Sequence, residues 1–140
     1  MKKESSVCNC VNIRRASQAV TEIYDGYLSE SGLKIGQFSM LRHISYMEPV
    51  NVSRLAEKMR LDRTTLVRGL KILEKEGYVA DTSDAGTRSR SLKLTVEGHN
   101  VLAEAEPMWQ AAQKHLEEHM GKDTLKDLVS LLSKLESLTP

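Results

Sequence analysis

Residues 52–79 read VSRLAEKMRLDRTTLVRGLKILEKEGYV, and this stretch decides the fold. A short helical segment follows Asn51, and a turn at Leu61 and Asp62 separates it from a second helical segment over residues 63–76. Asp62 is a good residue to cap the start of the second helix, and Gly77 is a good residue to end it. The order of short helix, tight turn and longer helix predicts a helix-turn-helix.

The second helix has two faces of opposite character. At about 100° per residue, Leu66, Leu70 and Leu73 fall on one side, and Gly69 beside them permits close packing. The other side has no acidic residue and no large apolar group, which suits the DNA major groove. The candidate DNA contacts of this helix are Arg63, Thr64, Thr65, Arg68, Lys71 and Lys75.

After Gly77 the pattern changes to two short strands, over residues 78–79 and 91–94, which flank the polar segment DTSDAGTRSR. We expect a β-hairpin, a wing, with Arg88 and Arg90 available for the minor groove, whose narrow width concentrates negative potential. A helix with an ordinary solvated basic face is the commoner alternative for the second helix alone. The small inward residue, the turn and the arginine-bearing hairpin together favour a DNA-binding winged helix-turn-helix.

Helical patterns flank this unit on both sides. Two helices are predicted before it, near residues 10–29 and 35–47, and two after it, with Thr95 as a cap, Pro107 as an expected kink and a last helix after Asp123. The terminal helices carry more apolar positions than one chain of this size covers, which indicates a second copy. We therefore expect a mainly α fold with a small β-hairpin wing, with dimerisation helices over residues 1–34 and 95–140 and a DNA-binding domain over residues 35–94.

Composition agrees with a folded, soluble, single-domain protein. The chain has 140 residues, of which 40% are hydrophobic and 28% charged. It shows no secretory signal and no apolar run long enough to span a membrane, and its two cysteines suit a reducing compartment, so we expect a cytoplasmic protein. Net charge is +1, yet residues 54–93 carry +4 and the remainder −3, which indicates a polyanion partner for the middle. There is no Gly-rich phosphate loop, nucleophile motif or framed acid pair, so neither an enzyme nor a cofactor is expected.

Three motifs resemble those of a known family: GQFSMLRHI at 36–44, the stretch at 52–79, and SLKLTVEGHNVL at 91–102. The chain resembles the MarR-type regulators, which are dimeric winged helix-turn-helix repressors. The resemblance covers nearly the whole chain. It implies a homodimer formed by the first helix and the last two, a palindromic double-stranded DNA site, Arg88 in the minor groove and release by an effector. A winged-helix module that binds proteins is the alternative, but it would tolerate acidic or apolar residues where this chain has cations.

The wing tip departs from the family pattern. Most members carry an acidic residue followed by two arginines, whereas this chain has Gly86, Thr87 and Arg88. The acidic residue that usually orients the wing arginine is therefore absent from its usual position. Asp84 is the nearest candidate to replace it.

Thiol chemistry is the first candidate input. In CNCVNIRRASQAVTEIYD, at residues 8–25, Cys10 has the place of the reactive cysteine in the hydroperoxide-sensing members. Independently, Cys8 and Cys10 lie near a helix start and Arg14 lies one turn from Cys10, and both features favour the thiolate that peroxides attack. Tyr24 is roughly 21 Å further along the same helix, so it would meet a Cys10 only across an antiparallel dimer. A small buried cysteine without redox function is the alternative.

The sequence offers two other candidate inputs. His115 and His119 share one helix face, but two histidines are too few for a convincing metal site, and surface residues are the favoured interpretation. A small amphipathic ligand between the dimerisation region and the DNA-binding domain is the second option, with packing the commoner role for each residue concerned. Its candidate lining residues are Arg15, Arg42, Tyr46 and Trp109.

Overall fold

The computed structural model describes residues 2–140 and is mainly helical. Residues 2–140 form six α-helices and one hairpin in the order α1, α2, α3, α4, β1, β2, α5, α6, with one short 3-10 helix, Ser29–Ser31, after α1. The helices are Asn9–Leu28 (α1), Ile35–Met47 (α2), Val52–Met59 (α3), Arg63–Lys75 (α4), Val96–Met120 (α5) and Lys122–Glu136 (α6), and the strands are Val79–Asp81 (β1) and Leu92–Leu94 (β2). The expected fold class, mainly α with a small hairpin, is confirmed. Among the residues described, no helix is both long and apolar enough to cross a bilayer.

The core of the helix-turn-helix forms around α2. Phe38, Leu41 and Ile44 on this helix are 0–1% exposed, because they meet the apolar faces of α3, α4 and β2. Leu55 of α3 and Leu92 of β2 are completely buried in the same cluster. Helix α2 therefore holds α4, α3 and the base of the hairpin in fixed positions.

Helix α4 packs its apolar face inward as its spacing predicts. Leu66, Leu70 and Leu73 have no exposed surface. A Cβ on Gly69 would lie 2.7 Å from the terminal methyl carbon of Met40, so the missing side chain lets α4 approach α2 closely. The close neighbour of Gly69 is thus a residue of α2 rather than of α3.

The hairpin begins one residue later than the sequence pattern suggested. The strands are antiparallel, with Val79 opposite Leu94 and Asp81 opposite Leu92. Tyr78 is outside β1 because its backbone N–H donates to the Leu73 carbonyl and so closes the end of α4, where Gly77 has φ of 83°.

Helix α5 is one continuous helix, and it includes the proline at which the sequence predicts a kink. It runs as one helix through Pro107, which lies on the exposed side, and it ends at Gly121. Its start is capped as predicted, since the Thr95 hydroxyl accepts from the backbone N–H of Gly98. The Thr95 backbone N–H and hydroxyl also donate to the carbonyls of Tyr78 and Gly77, which fixes the start of α5 against the hairpin base.

Gly98→Ala is expected to destabilise the protein, because a Cβ at this position would lie 2.1 Å from the backbone carbonyl oxygen of Tyr78. Backbone cannot move aside as a flexible side chain can, so we expect a loss of at least about 2 kcal/mol, measured by thermal and denaturant unfolding. Gly36→Ala is the control, because nothing lies within 4 Å of a Cβ there. Equal unfolding midpoints for the two variants would contradict this packing.

Candidate nucleic-acid interface

The start of α4 is fixed by a capping residue. The Asp62 carboxylate accepts hydrogen bonds from the backbone N–H of Thr65, at 2.8 Å, and from its hydroxyl, at 2.7 Å. These two bonds hold the pKa of Asp62 below its ordinary value, so the cap is ionised at neutral pH. Thr65 is thereby committed to the cap, while Thr64 beside it is exposed and makes no side-chain hydrogen bond among the residues described.

The outward face of α4 is a continuous polar and cationic stripe. The side chains of Arg68, Lys71 and Lys75 are exposed along with Thr64, opposite the buried leucines. None of these three cations forms an ion pair with an acidic residue in the part of the chain that the structure describes. We call Thr64, Arg68, Lys71 and Lys75 the reading face.

The wing and the beginning of α3 form a concave surface next to the reading face. Arg63 and Arg88 both line it, together with Asn51 and Ser53 at the start of α3. The Arg63 guanidinium donates to the Ser53 hydroxyl over 3.4 Å, and Arg88 at the wing tip is exposed. Arg63 of α4 and two arginines of the wing, Arg88 and Arg90, therefore line one concave surface.

Arg90 lines the same concave surface as Arg88, but its guanidinium is paired with acidic residues. Its Nη2 lies 2.7 Å from the Glu74 carboxylate on α4, and its Nε lies 3.0 Å from the Asp81 carboxylate on β1. The hydrogen bond to Glu74 is the main reason that the pKa of Arg90 is raised. Of the two wing arginines predicted to contact DNA, only Arg88 has its guanidinium free of an acidic partner among residues 2–140.

The acidic residue of the wing that accepts hydrogen bonds is Asp81, whereas the sequence suggested Asp84. The Asp84 carboxylate makes no hydrogen bond within the described chain, and only its backbone carbonyl is used, by the N–H of Thr87. Asp81 instead accepts from the backbone N–H and hydroxyl of Ser83, from the N–H of Ser91 and from Arg90. These bonds, led by those from Ser83, lower the pKa of Asp81 far below its ordinary value.

The two cysteines lie at the start of α1. Cys8 is the N-cap residue, Cys10 is in the first turn, and both thiols are free and exposed in the single chain. The alternative of a buried, packed Cys10 therefore does not hold within one chain. Arg14 is exposed one turn further on.

Tyr24 is far from this end of α1 within one protomer. Its side chain is 7% exposed and its hydroxyl donates to the side-chain oxygen of Gln113 on α5. Burial raises the pKa of Tyr24, which keeps the phenol protonated. One chain alone does not bring Tyr24 to Cys10.

The other candidate sensing residues separate into two groups. The Arg42 guanidinium lies over Trp109, 4.4 Å from the ring centroid, and 5.5 Å from that of Tyr46, while Arg15 lines a separate surface on α1. His115 and His119 stack with ring centroids 4.2 Å apart. No group of three or more potential metal ligands occurs within residues 2–140.

Comparison with known proteins identifies the family. The sequence pattern of the MarR family matches residues 33–86. The crystal structure of the M. tuberculosis transcriptional regulator MosR with DNA is 31% identical to this chain, with a TM-score of 0.80 over 95% of this chain and 99% of that one. This protein belongs to the MarR family.

Two further relatives of this MarR-family chain are also transcriptional regulators. The transcriptional repressor CouR, bound to a 23-mer DNA duplex, is 25% identical, with a TM-score of 0.82 over 96% of this chain and 99% of that one. The regulator SarZ of Staphylococcus aureus is 28% identical over 125 residues, which are 85% of this chain and 82% of SarZ. Relatives of this MarR-family chain are regulators, and the expectation that it is not an enzyme is confirmed.

Sequence reasoning missed two contacts in this MarR-family chain. The pairing of Arg90 with Glu74 spans 16 positions, and Arg42 meets Trp109 across two helices, so neither leaves a local pattern. For the Arg90–Glu74 pair, the only available signal was the departure of the wing tip from the family pattern. For the Arg42–Trp109 contact, the signal was an arginine on the apolar helix α2.

Proposed function

We propose that this MarR-family chain is a dimeric transcriptional repressor that binds a palindromic site on double-stranded DNA. The observation that carries the proposal is the reading face of α4, which is exposed, free of acids and backed by fully buried leucines. Such a helix enters the major groove with its cations toward guanine edges and phosphates. The MosR and CouR complexes with DNA, and the naming of CouR as a repressor, support the same conclusion.

The wing supplies the second DNA contact. Arg88 is exposed at the tip of the hairpin, adjacent to the reading face, and carries no acidic partner within residues 2–140. An arginine on a thin hairpin can enter a narrow minor groove, where the negative potential is strongest. Arg63 and Ser53 on the same concave surface are placed to hold the phosphates between the two grooves.

A second copy of the chain would cover the apolar side of α6. None of the residues of α6 is buried in the single chain. Its exposed apolar residues are Leu128, Val129, Leu131, Leu132 and Leu135, and Ile13 and Val20 of α1 are exposed as well. A folded monomer does not leave such a row in water, so α1, α5 and α6 are assigned to a homodimer interface that sets the spacing of the two reading faces.

For the effector we propose oxidation of Cys10 by an organic hydroperoxide. The thiol of Cys10 is free and exposed in the first turn of α1, so a peroxide can reach it from solvent. The thiolate sulfur attacks a peroxide oxygen, the O–O bond breaks, and the leaving alkoxide takes a proton to become an alcohol. The sulfur loses two electrons to the hydroperoxide and becomes a sulfenic acid, at the end of a dimerisation helix. Arg14 and, across the dimer, Tyr24 of α1 complete the proposed sensor, whereas Cys8 at the N-cap is not the sulfur that is oxidised.

A small anionic aromatic ligand is the alternative effector. The Nε of Arg42 is buried and has no hydrogen-bond partner in the described chain. With Trp109 and Tyr46 on the same guanidinium, this site offers both a charge and aromatic surface to a carboxylate.

Arg68→Ala is expected to weaken binding to the specific site by about 1–3 kcal/mol more than binding to random DNA, if it contacts a base. Arg88→Ala is expected to weaken DNA binding and to reduce the number of released counterions by about one. That number is obtained from the slope of log affinity against log salt concentration. Fluorescence anisotropy on the DNA flanking the gene, titrated at several salt concentrations, measures both effects. Lys114→Ala, on α5 and away from the reading face, is the control. If the wild-type protein binds no DNA duplex of any sequence at low salt, the proposed function is wrong.

Leu131→Glu is expected to shift the dimer equilibrium toward monomer by at least about tenfold, because it places a charge in an apolar interface. Leu131 is 60% exposed in the single chain, and Ile72 of α4, at 47% exposed, offers a matched control outside the three helices assigned to the interface. Analytical ultracentrifugation should find a dimer for wild type and Ile72→Glu. A wild-type monomer at micromolar concentration contradicts the dimer.

Cys10→Ser is expected to keep DNA binding and to lose release by cumene hydroperoxide, because it removes the sulfur that is oxidised. Cys8→Ser is the matched control and should still release DNA. Mass spectrometry of the oxidised protein, run beside the binding assay, shows that Cys10 has reacted. If the fully oxidised wild-type protein binds DNA with unchanged affinity, the thiol mechanism is wrong. Release of DNA by benzoate from the wild-type protein, but not from Arg42→Ala, would then favour the ligand alternative.

A further inference from the structure

An ion-pair cluster ties the wing to the reading helix. We call Glu74, Asp81 and Arg90 the wing clamp: Glu74 belongs to α4, Asp81 ends β1, and Arg90 lies just before β2. The guanidinium of Arg90 bridges the two carboxylates at 2.7 and 3.0 Å, and the three side chains are 28–31% exposed. Partial burial and two directed bonds make this cluster more ordered than a surface ion pair.

The wing clamp sits where the hairpin would otherwise separate. The ladder between β1 and β2 contains three residue pairs, the last being Asp81 with Leu92. Beyond that pair, the Asp81 carboxylate accepts the backbone N–H groups of both Ser83 and Ser91, at 2.9 and 3.0 Å, and so holds both limbs of the wing. The backbone N–H of Thr82, the residue after Asp81, also donates to the Ser91 carbonyl at 2.7 Å.

The charges of the wing clamp matter for a DNA-binding surface. Glu74 is the only acidic residue of α4, and an acid beside the phosphate backbone ordinarily opposes binding. The Glu74 carboxylate is paired with Arg90 instead. One arginine of the wing therefore has its charge balanced by acidic residues of the protein itself. Arg88 is thus the one arginine of the described wing whose guanidinium has no acidic partner.

We infer that Arg90 is a positioning residue, which holds the wing against α4 through Glu74 and Asp81 and so sets where Arg88 enters the minor groove. The inference rests on the proposed DNA-binding function and deepens it. Arg90 then acts on DNA only through Arg88, although its charge and its place on the wing make it look like a second direct contact.

Glu74→Gln separates this role from simple electrostatics. Removing an acid near DNA would ordinarily strengthen binding, whereas loss of the wing clamp should weaken it, by about fivefold or more. Asp84→Asn is the matched control, because it removes an acid from the same wing whose carboxylate makes no hydrogen bond in the described chain, and it should bind as tightly as wild type or more tightly. Hydrogen exchange without DNA should show faster exchange of the Thr82 and Ser91 amides in Glu74→Gln and unchanged exchange in Asp84→Asn.

A double-mutant cycle completes the test. Arg90→Lys keeps the charge but cannot bridge both carboxylates in the same geometry, so it should weaken binding in the wild-type background and change nothing in the Arg88→Ala background. Additive losses would show that Arg90 contacts DNA itself and would overturn the inference, as would equal or tighter binding by Glu74→Gln. Wild type that binds no duplex is a different result, since it defeats the proposed function and the inference with it.

Discussion

The close packing of α4 on α2 is the constraint on which the rest of the molecule depends. A reading helix has to keep one side entirely polar, so its whole hold on the protein comes from the other side. Three leucines without exposed surface supply that hold, and Gly69 brings the helix near enough to Met40 for them to be fully covered. Burial of each such side chain contributes about 2 kcal/mol, which is enough to keep the cations outside in a fixed register.

The sequence predicted those parts of the molecule that follow from local periodicity. The bounds of α2 and the start of α4 agree with the structure because both are set by capping residues and turns that lie beside them in the chain. The reading face follows from helical spacing alone. The start of β1 was misjudged by one residue because the N–H of Tyr78 is used by the end of α4, a competition that propensities do not report.

Contacts between elements were beyond the reach of the sequence. Arg88 and Arg90 have similar neighbours and looked equivalent, yet one is free and the other bridges two acids. Which arginine meets Glu74 depends on the twist of a short hairpin over α4, and that twist is a property of the packed whole. Tyr24 likewise could be placed on a helix face, but its partner Gln113 is 89 positions away.

The uninterrupted course of α5 has a mechanical consequence. Its first turn is bonded to the base of the hairpin through Thr95, and its last turns lie among the helices assigned to the dimer. Twenty-five residues make a rod about 37 Å long, so a tilt of about 5° at one end displaces the other by about 3 Å. A small tilt of α5 at the proposed dimer interface would therefore displace the attached hairpin by nearly the rise of one base pair.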